Sequence, residues 1–169
     1  IAEIGGLCDL AGHTHAGIVV FGLERRGLVP HGATAGGFVP GSGAGAIILE
    51  DLEFALERGA TIYAEILGGS SNSGGQRGGG SMTAPNPVGV IKSIEDAIGM
   101  SNIRTDDIDL ISGHLTATMA DKQEIQNWST ALKRRGKDFP LINSLKSMIG
   151  HCLSAAGSIE SVAAILQIK

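Results

Sequence analysis

The chain has 169 residues, of which 43% are hydrophobic and 18% charged, and its formal net charge is −4 at pH 7. This composition is typical of a globular domain; the acidic charge argues against nucleic-acid binding, and no apolar run is long enough to cross a bilayer. The two cysteines, Cys8 and Cys152, are far apart and lack metal-ligand spacing. We therefore expect no disulfide framework and no metal site, and the cytoplasm is the expected location.

The predicted elements alternate between strands and helices along the chain. In order, they are a buried strand at 44–50, a short helix at 51–59, a strand at 61–69, a helix at 86–100, a strand at 107–114, a helix at 119–133, a strand at 139–145 and a helix at 152–168. The short helix places Leu49, Leu52, Ala55 and Leu56 on one side. Asn86 and Pro87 are the expected cap and first-turn residue of their helix. Strands separated by helices indicate a mostly parallel sheet covered by helices, an α/β fold.

Three ionisable side chains stand where this architecture builds binding sites. Ligands of α/β folds bind beyond the carboxyl ends of the strands; His114 ends one predicted strand, while Lys146 and His151 follow another. At a helix start, the positive end of the helix dipole favours the neutral form of His151. A neutral imidazole can donate a hydrogen bond to a developing oxyanion. These positions favour a functional site over the alternative that Lys146 is a solvated loop cation and His151 a polar residue near a helix start.

Other motifs give weaker signals. The pattern Gly41-x-Gly43-x-x-Ala46 matches a relaxed dinucleotide fingerprint, but the residues after it predict a strand rather than a helix. His13 and His15 form an H-x-H pair without a third ligand at useful spacing, so a loop or helix-start role is favoured. No G-x-S-x-G elbow of a serine hydrolase is present. We expect neither a cofactor nor a metal.

Four segments, in this order, resemble the second half of a β-ketoacyl-acyl carrier protein synthase of the KAS II type, a member of the thiolase superfamily. They are "GFVPGSGAGAIILEDLEFALERGATIYAEILG", "MTAPNPVG", "IDLISGHLTATMADKQE" and "NSLKSMIGHCLSAAGSIE". The spellings "HLTAT" and "NSLKS" are most similar to the branch associated with aryl polyenes. The resemblance covers residues 36–169.

This resemblance implies the thiolase fold, a five-layered α-β-α-β-α arrangement of two similar halves, and a dimer. Residues 1–169 are then expected to be a partial ketosynthase domain, consisting of the end of the first half and most of the second. The N-terminal part with the nucleophile and the C-terminal end would lie outside the chain, which begins with Ile1 rather than Met.

The implied activity is decarboxylative condensation of an enzyme-bound acyl thioester with malonyl-acyl carrier protein. By their positions in the motifs, His114 and His151 correspond to the two histidines that stabilise the enolate and oxyanion, and Lys146 to the lysine beside them. Glu124 and Asp121 correspond to the acidic residues of the same block, although the interval from His114 to Asp121 is one residue shorter than usual. The implied partners are acyl carrier protein and a second subunit, in a homodimer or a ketosynthase heterodimer.

Two alternatives stay open. Neither Cys8 nor Cys152 lies in the nucleophile motif of the family, so the chain is also compatible with a non-catalytic partner subunit similar to a chain-length factor. Such partners commonly lose the histidine and lysine positions, and the presence of His114, Lys146 and His151 therefore favours the enzyme. The second alternative is that the chain belongs to a thiolase.

Overall fold

The computed structural model describes residues 19–21, 36–72 and 85–168. The strands are β1 (Val19–Phe21), β2 (Ala44–Ala46), β3 (Leu110–Ser112) and β4 (Leu141–Asn143). The α-helices are α1 (Leu52–Glu57), α2 (Pro87–Ser101), α3 (Ala120–Leu132), α4 (Lys146–Ile149) and α5 (Ala156–Gln167), with 3₁₀ turns at Thr105–Asp107, Gly136–Asp138 and Leu153–Ala155. The chain divides into two compact units, the first with β1, β2, α1, α4 and α5, and the second with α2, β3, α3 and β4.

The second unit is built around one parallel strand pair. Strands β3 and β4 run parallel, with Leu110 opposite Leu141, and α3 forms the connection between them. Parallel strands need such a crossover because a short turn cannot reverse the chain twice. The buried core joins both helices to β3 and consists of Ile94, Ile111, Ala131 and Leu132. This unit confirms the predicted alternation of strands and helices and its parallel pairing.

Local capping signals fix the helix ends of this unit. The side chain of Asn86 accepts a hydrogen bond from the Val88 N–H at 3.0 Å, and Pro87 is the first helical residue of α2. Both helices end at a residue in the left-handed conformation, Asn102 after α2 and Lys133 after α3. The predicted helices at 86–100 and 119–133 are thus confirmed almost to the residue. In the ranges that the structure describes, no helix combines the length and the apolar character needed to cross a membrane.

The first unit packs a short sheet closely against α5. Strands β1 and β2 pair antiparallel, an arrangement that the sequence did not predict. A Cβ atom at Gly45 of β2 would lie 2.9 Å from the backbone nitrogen of Ile159 and 3.0 Å from the carbonyl carbon of Ser158. Only glycine therefore permits this approach. On α5 itself, Ile159 and Val162 are buried, and the predicted final helix begins with the 3₁₀ turn before it becomes α-helical.

Two predictions about residues 44–59 are partly wrong. The strand is only Ala44–Ala46, and Ile48 and Leu49 after it are 53% and 71% exposed rather than buried. The helix is confirmed as α1, with Asp51 as its cap, but of its predicted apolar face only Ala55 is buried. An apolar helix face in the sequence predicts burial. The face is buried only where a second element packs against it.

The strand predicted at 61–69 does not form. Its alternation of Ile62, Ala64 and Ile66 is that of a half-buried strand, yet the structure assigns no strand there and Ile66 is 68% exposed. Alternation determines which side chains share a face, but a strand exists only when a neighbouring backbone accepts and donates its hydrogen bonds. Among the described residues, no strand pairs with this segment.

Candidate functional site

The backbone of His151 is held on both sides by the segment Val39–Gly41. The N–H of His151 donates to the Val39 carbonyl oxygen at 2.8 Å, and the Gly41 N–H donates to the His151 carbonyl oxygen at 2.9 Å. An added Cβ at Gly41 would overlap the carbonyl oxygen of Ile149, so this pairing also requires glycine. The chain after Gly41 continues into β2 rather than into a helix, which agrees with the rejection of the dinucleotide motif.

The imidazole of His151 is held in one neutral tautomer. The backbone N–H of Leu153, in the 3₁₀ turn that leads into α5, donates to Nδ1 of His151 at 3.0 Å. A ring nitrogen that accepts a hydrogen bond carries no proton, so the proton of the neutral ring is on Nε2. Protonation of Nδ1 would replace this hydrogen bond by a clash of two donors. His151 is therefore prepared to donate from Nε2, and it lies at the helix start that the sequence predicted.

Lys146 is buried and paired with a carboxylate. It is the first residue of α4, its side chain is 4% exposed, and its ammonium donates to the carboxylate of Glu160 on α5. The Glu160 side chain is itself only 14% exposed. Two charges withdrawn from water in this way are tolerable because each neutralises the other. The pair ties the one-turn helix that precedes His151 to the helix that follows it.

Glu160 was missed by the sequence analysis, although the sequence contains a signal for it. It is the only charged residue in the 15 positions Cys152–Leu166, which are otherwise apolar, small or neutral polar. A single carboxylate within such a helix needs a cationic partner if its helix packs into a core. The ring centroids of Phe38 and His151 lie 4.8 Å apart, and the sequence contains no comparable signal for this contact because it joins residues 113 positions apart.

His114 lies in an exposed loop directly after β3, and Glu124 holds the backbone of this loop. The two oxygens of the Glu124 carboxylate accept the N–H groups of His114 and Leu115, at 2.6 Å and 2.9 Å. The hydroxyl of Ser144 donates to the Leu115 carbonyl oxygen at 3.1 Å, which ties the loop to the end of β4. Glu124, predicted as a catalytic residue, therefore contacts the backbone that carries His114.

Asp121 continues the same arrangement. Its carboxylate accepts the N–H groups of Thr116 and Ala117, at 2.9 Å and 3.0 Å. With Glu124, two side chains on the first turns of α3 bind four successive backbone N–H groups of residues 114–117. Ala117 has a φ of 59°, a left-handed conformation that is costly for alanine, and these hydrogen bonds help to maintain it. The shorter interval before Asp121 thus does not prevent it from binding the loop.

Cys152 has the properties of a structural cysteine. Its residue is 7% exposed, and burial raises the pKa of its thiol, an effect that the Glu160 carboxylate increases and the Lys146 ammonium opposes. A raised pKa keeps the thiol neutral near pH 7, and a neutral thiol is a poor nucleophile. The other cysteine, Cys8, and the pair His13 and His15 lie outside the described residues.

The candidate residues fall into the two units of the chain. Lys146 and His151 belong to the first unit, connected by α4, whereas His114 and Glu124 belong to the second. That all four act at one site stays a prediction. In the portion of the chain that the structure describes, no three His, Cys, Asp or Glu side chains form a group able to hold a metal ion.

The chain resembles proteins of known activity in both sequence and structure. Residues 63–169 match the family described as beta-ketoacyl synthase, C-terminal domain. The chain is 44% identical, over 136 residues, to the chloroplastic 3-oxoacyl-[acyl-carrier-protein] synthase II of Arabidopsis thaliana, a match that covers 79% of this chain and 24% of the relative. The first relatives are matched over only 24% to 36% of their own length, so the chain spans about a quarter to a third of them.

Two solved structures show the same fold. The ketosynthase from module 6 of the bacillaene synthase of Bacillus subtilis 168 matches with a TM-score of 0.70 and 34% identity, covering 78% of this chain and 24% of that one. A type II polyketide synthase ketosynthase in complex with its acyl carrier protein, AntDE:AntF, matches with a TM-score of 0.62 and 34% identity, covering 78% and 32%. The fold is thus the α/β thiolase fold of ketosynthases, as the resemblance of the four segments implies, and the chain belongs to the β-ketoacyl synthase family.

Proposed function

We propose that the protein is a β-ketoacyl-acyl carrier protein synthase of fatty acid or polyketide synthesis, including the synthesis of aryl polyenes. An acyl group is held as a thioester on a cysteine. Malonyl-acyl carrier protein loses CO₂, and the electron pair of the broken C–C bond forms an enolate. The enolate carbon attacks the acyl carbonyl, a new C–C bond forms, and the C–S bond to the enzyme breaks. The released thiolate takes up a proton, and the β-ketoacyl product leaves on the carrier protein.

The observation that carries this proposal is the hydrogen bond from the Leu153 N–H to Nδ1 of His151. Decarboxylation places negative charge on the thioester oxygen of the malonyl group. A donor that is oriented before the reaction stabilises this charge without reorganisation, and one such donor contributes roughly 10²–10³ in rate. His151, with its proton on Nε2, is a donor of this kind. His114 is the second donor in the proposed mechanism.

The charged residues have supporting roles in this mechanism. Lys146 and Glu160 form a buried ion pair that holds α4 and α5 together around His151. We assign to Lys146 the organisation of the electrostatic field near the two histidines. Glu124 is a positioning residue, since its carboxylate binds the backbone of His114 at 2.6 Å. The residue types therefore agree with the roles that the family resemblance implies.

The nucleophilic cysteine is, in this proposal, contributed by a part of the protein outside residues 1–169. The raised pKa and the burial of Cys152 make it unsuitable as a nucleophile. The 169 residues then form a partial ketosynthase domain that cannot complete the reaction by itself. Its coverage of about a quarter of the Arabidopsis thaliana relative is in agreement with this division.

We propose acyl carrier protein as the partner, carrying the acyl and the malonyl group, because a related ketosynthase forms a complex with its acyl carrier protein. We further propose that the enzyme is a homodimer or a ketosynthase heterodimer of the cytoplasm. Light scattering of the intact protein, alone and after coexpression with a second ketosynthase subunit, would determine the assembly. A monomer under both conditions would contradict this part of the proposal.

The test of the function is whether the intact protein catalyses condensation without a second ketosynthase. Incubation with acyl-carrier protein should give an acyl-enzyme, and addition of malonyl-carrier protein should give a β-ketoacyl product, both detected by mass spectrometry. A Lys92→Gln variant, which changes an exposed lysine of α2, should behave as the wild type. If the protein forms no acyl-enzyme and supports condensation only when paired with a separate ketosynthase, the alternative of a chain-length-factor-like subunit is correct.

A further inference from the structure

The side chain of Phe38 contacts the ring of His151 within the first unit. The two ring centroids are 4.8 Å apart and the ring planes are inclined by 48°. Separations of this size and tilted orientations are typical of favourable aromatic pairs. Phe38 directly precedes Val39, whose carbonyl oxygen accepts the His151 N–H, so the backbone pairing places the two side chains next to each other.

This contact adds a restraint on the imidazole ring itself. The backbone bonds to Val39 and Gly41 fix the position of the His151 main chain, and the Leu153 N–H selects the tautomer. The ring of Phe38, with its centroid 4.8 Å from that of the imidazole, opposes rotation of the imidazole about its side-chain bonds. The direction of the Nε2–H bond depends on this orientation.

We propose that Phe38 is a positioning residue, which orients the imidazole of His151 so that Nε2–H points at the thioester oxygen during condensation. This inference rests on the proposed function. It extends that function to a side chain without ionisable groups, whose effect on the reaction passes through His151. Phe38 is 47% exposed. Packing into a core alone therefore does not account for the position of its ring.

The experiment compares Phe38→Leu with the matched variant Phe38→Tyr in the intact protein. Leucine keeps an apolar side chain but removes the ring, whereas tyrosine keeps the ring. We expect Phe38→Leu to lower kcat for condensation by roughly tenfold to a hundredfold, the scale for misoriented catalytic groups, with less change in KM and an unchanged urea midpoint. Phe38→Tyr should stay within about twofold of the wild type. Equal activities of the leucine variant and the wild type would overturn the proposal.

A double-mutant cycle separates positioning from a general structural effect. In a protein that already carries His151→Ala, Phe38→Leu should not reduce kcat further, because the side chain through which it acts is gone. A structural role would give the same loss in both backgrounds. Additive losses would therefore contradict the assignment of Phe38 as a positioning residue.

A measurement that does not depend on catalysis distinguishes this inference from the proposed function. Carbethoxylation of His151 by diethyl pyrocarbonate, detected by mass spectrometry, requires access to the lone pair on Nδ1, which the Leu153 N–H covers as long as the ring keeps its orientation. The reaction should be faster in Phe38→Leu than in the wild type and in Phe38→Tyr. If the wild type makes no β-ketoacyl product, the proposed function fails, and the carbethoxylation rates still decide the inference. Equal rates in all three proteins would show that Phe38 does not hold the ring.

Discussion

The ion pair between Lys146 and Glu160 allows a quantitative prediction about stability. We consider three variants of the intact protein: Lys146→Met, Glu160→Leu and the double variant. Each single change leaves one charge in an environment that the pair had neutralised. The double change replaces both charges by apolar groups of similar size. The free energies of unfolding of these variants together give the coupling energy of the two side chains, not the contribution of either side chain alone.

The exposures of the two side chains set the expected magnitudes. Breaking a buried pair from one side costs about 3–5 kcal/mol, because the remaining charge is left without a partner. After Glu160→Leu the remaining charge is on Lys146, whose side chain is 4% exposed; after Lys146→Met it is on Glu160, which is 14% exposed and more easily hydrated. We therefore expect Glu160→Leu to be the more destabilising change. The double variant should lie within about 1 kcal/mol of the wild type, since an apolar pair avoids the desolvation cost.

Equilibrium unfolding in urea measures these differences in the free energy of unfolding. The exposed pair Lys92 and Asp96 on α2, with side chains 64% and 47% exposed, is the matched control. Breaking that pair should cost only about 0.3–0.5 kcal/mol, because water screens it. The reasoning would be refuted if the double variant lost as much free energy of unfolding as the two single variants together. It would also be refuted if the single variants lost no more than the control variants.

Three further predictions concern particular side chains. Glu124→Gln removes a charged acceptor from the loop of His114, and we expect it to lower the free energy of unfolding by about 1.5–3 kcal/mol; an unchanged urea midpoint would contradict this. Gly41→Ala should lower the free energy of unfolding by roughly 1–3 kcal/mol, because the added Cβ would meet backbone atoms. Gly157→Ala, where the added Cβ points into open space on α5, should be neutral or slightly stabilising. Equal effects of the two changes would argue against the close approach at Gly41. The thiol of Cys152 should react with iodoacetamide at pH 8 more slowly than glutathione, because burial raises its pKa and restricts access to the sulfur. The same shift implies that the folded state loses stability as the pH rises through the ionisation of this thiol, and alkylation as fast as that of glutathione would be inconsistent with it.

Elements with local signals were the ones that the sequence predicted well. Asn86 and Pro87 mark the start of α2 by residue type alone, and the spacing of apolar residues along α2 is that of one buried helix face. His114 and His151 were placed correctly at the end of β3 and at the start of the final helix, because those positions follow from the order of elements. Such features need only a few neighbouring residues.

Features that depend on distant residues were not predictable in the same way. The segment 61–69 alternates as a strand should, but pairing is decided by another part of the chain. The contacts of Phe38 with His151 and of Lys146 with Glu160 require knowledge of which elements become neighbours. Of these, only Glu160 left a trace in the sequence, because a single charge in an apolar helix implies a partner.

The most direct test of the proposed mechanism is the condensation rate of His151→Ala, measured in the intact protein beside the wild type with saturating acyl- and malonyl-carrier protein. Because the variant loses one oriented oxyanion donor, we predict that condensation falls by roughly 10²–10³. Transfer of the acyl group to the cysteine, followed by mass spectrometry of the acyl-enzyme, should be reduced much less. A condensation rate equal to that of the wild type would contradict the assignment of His151 as the donor that stabilises the enolate.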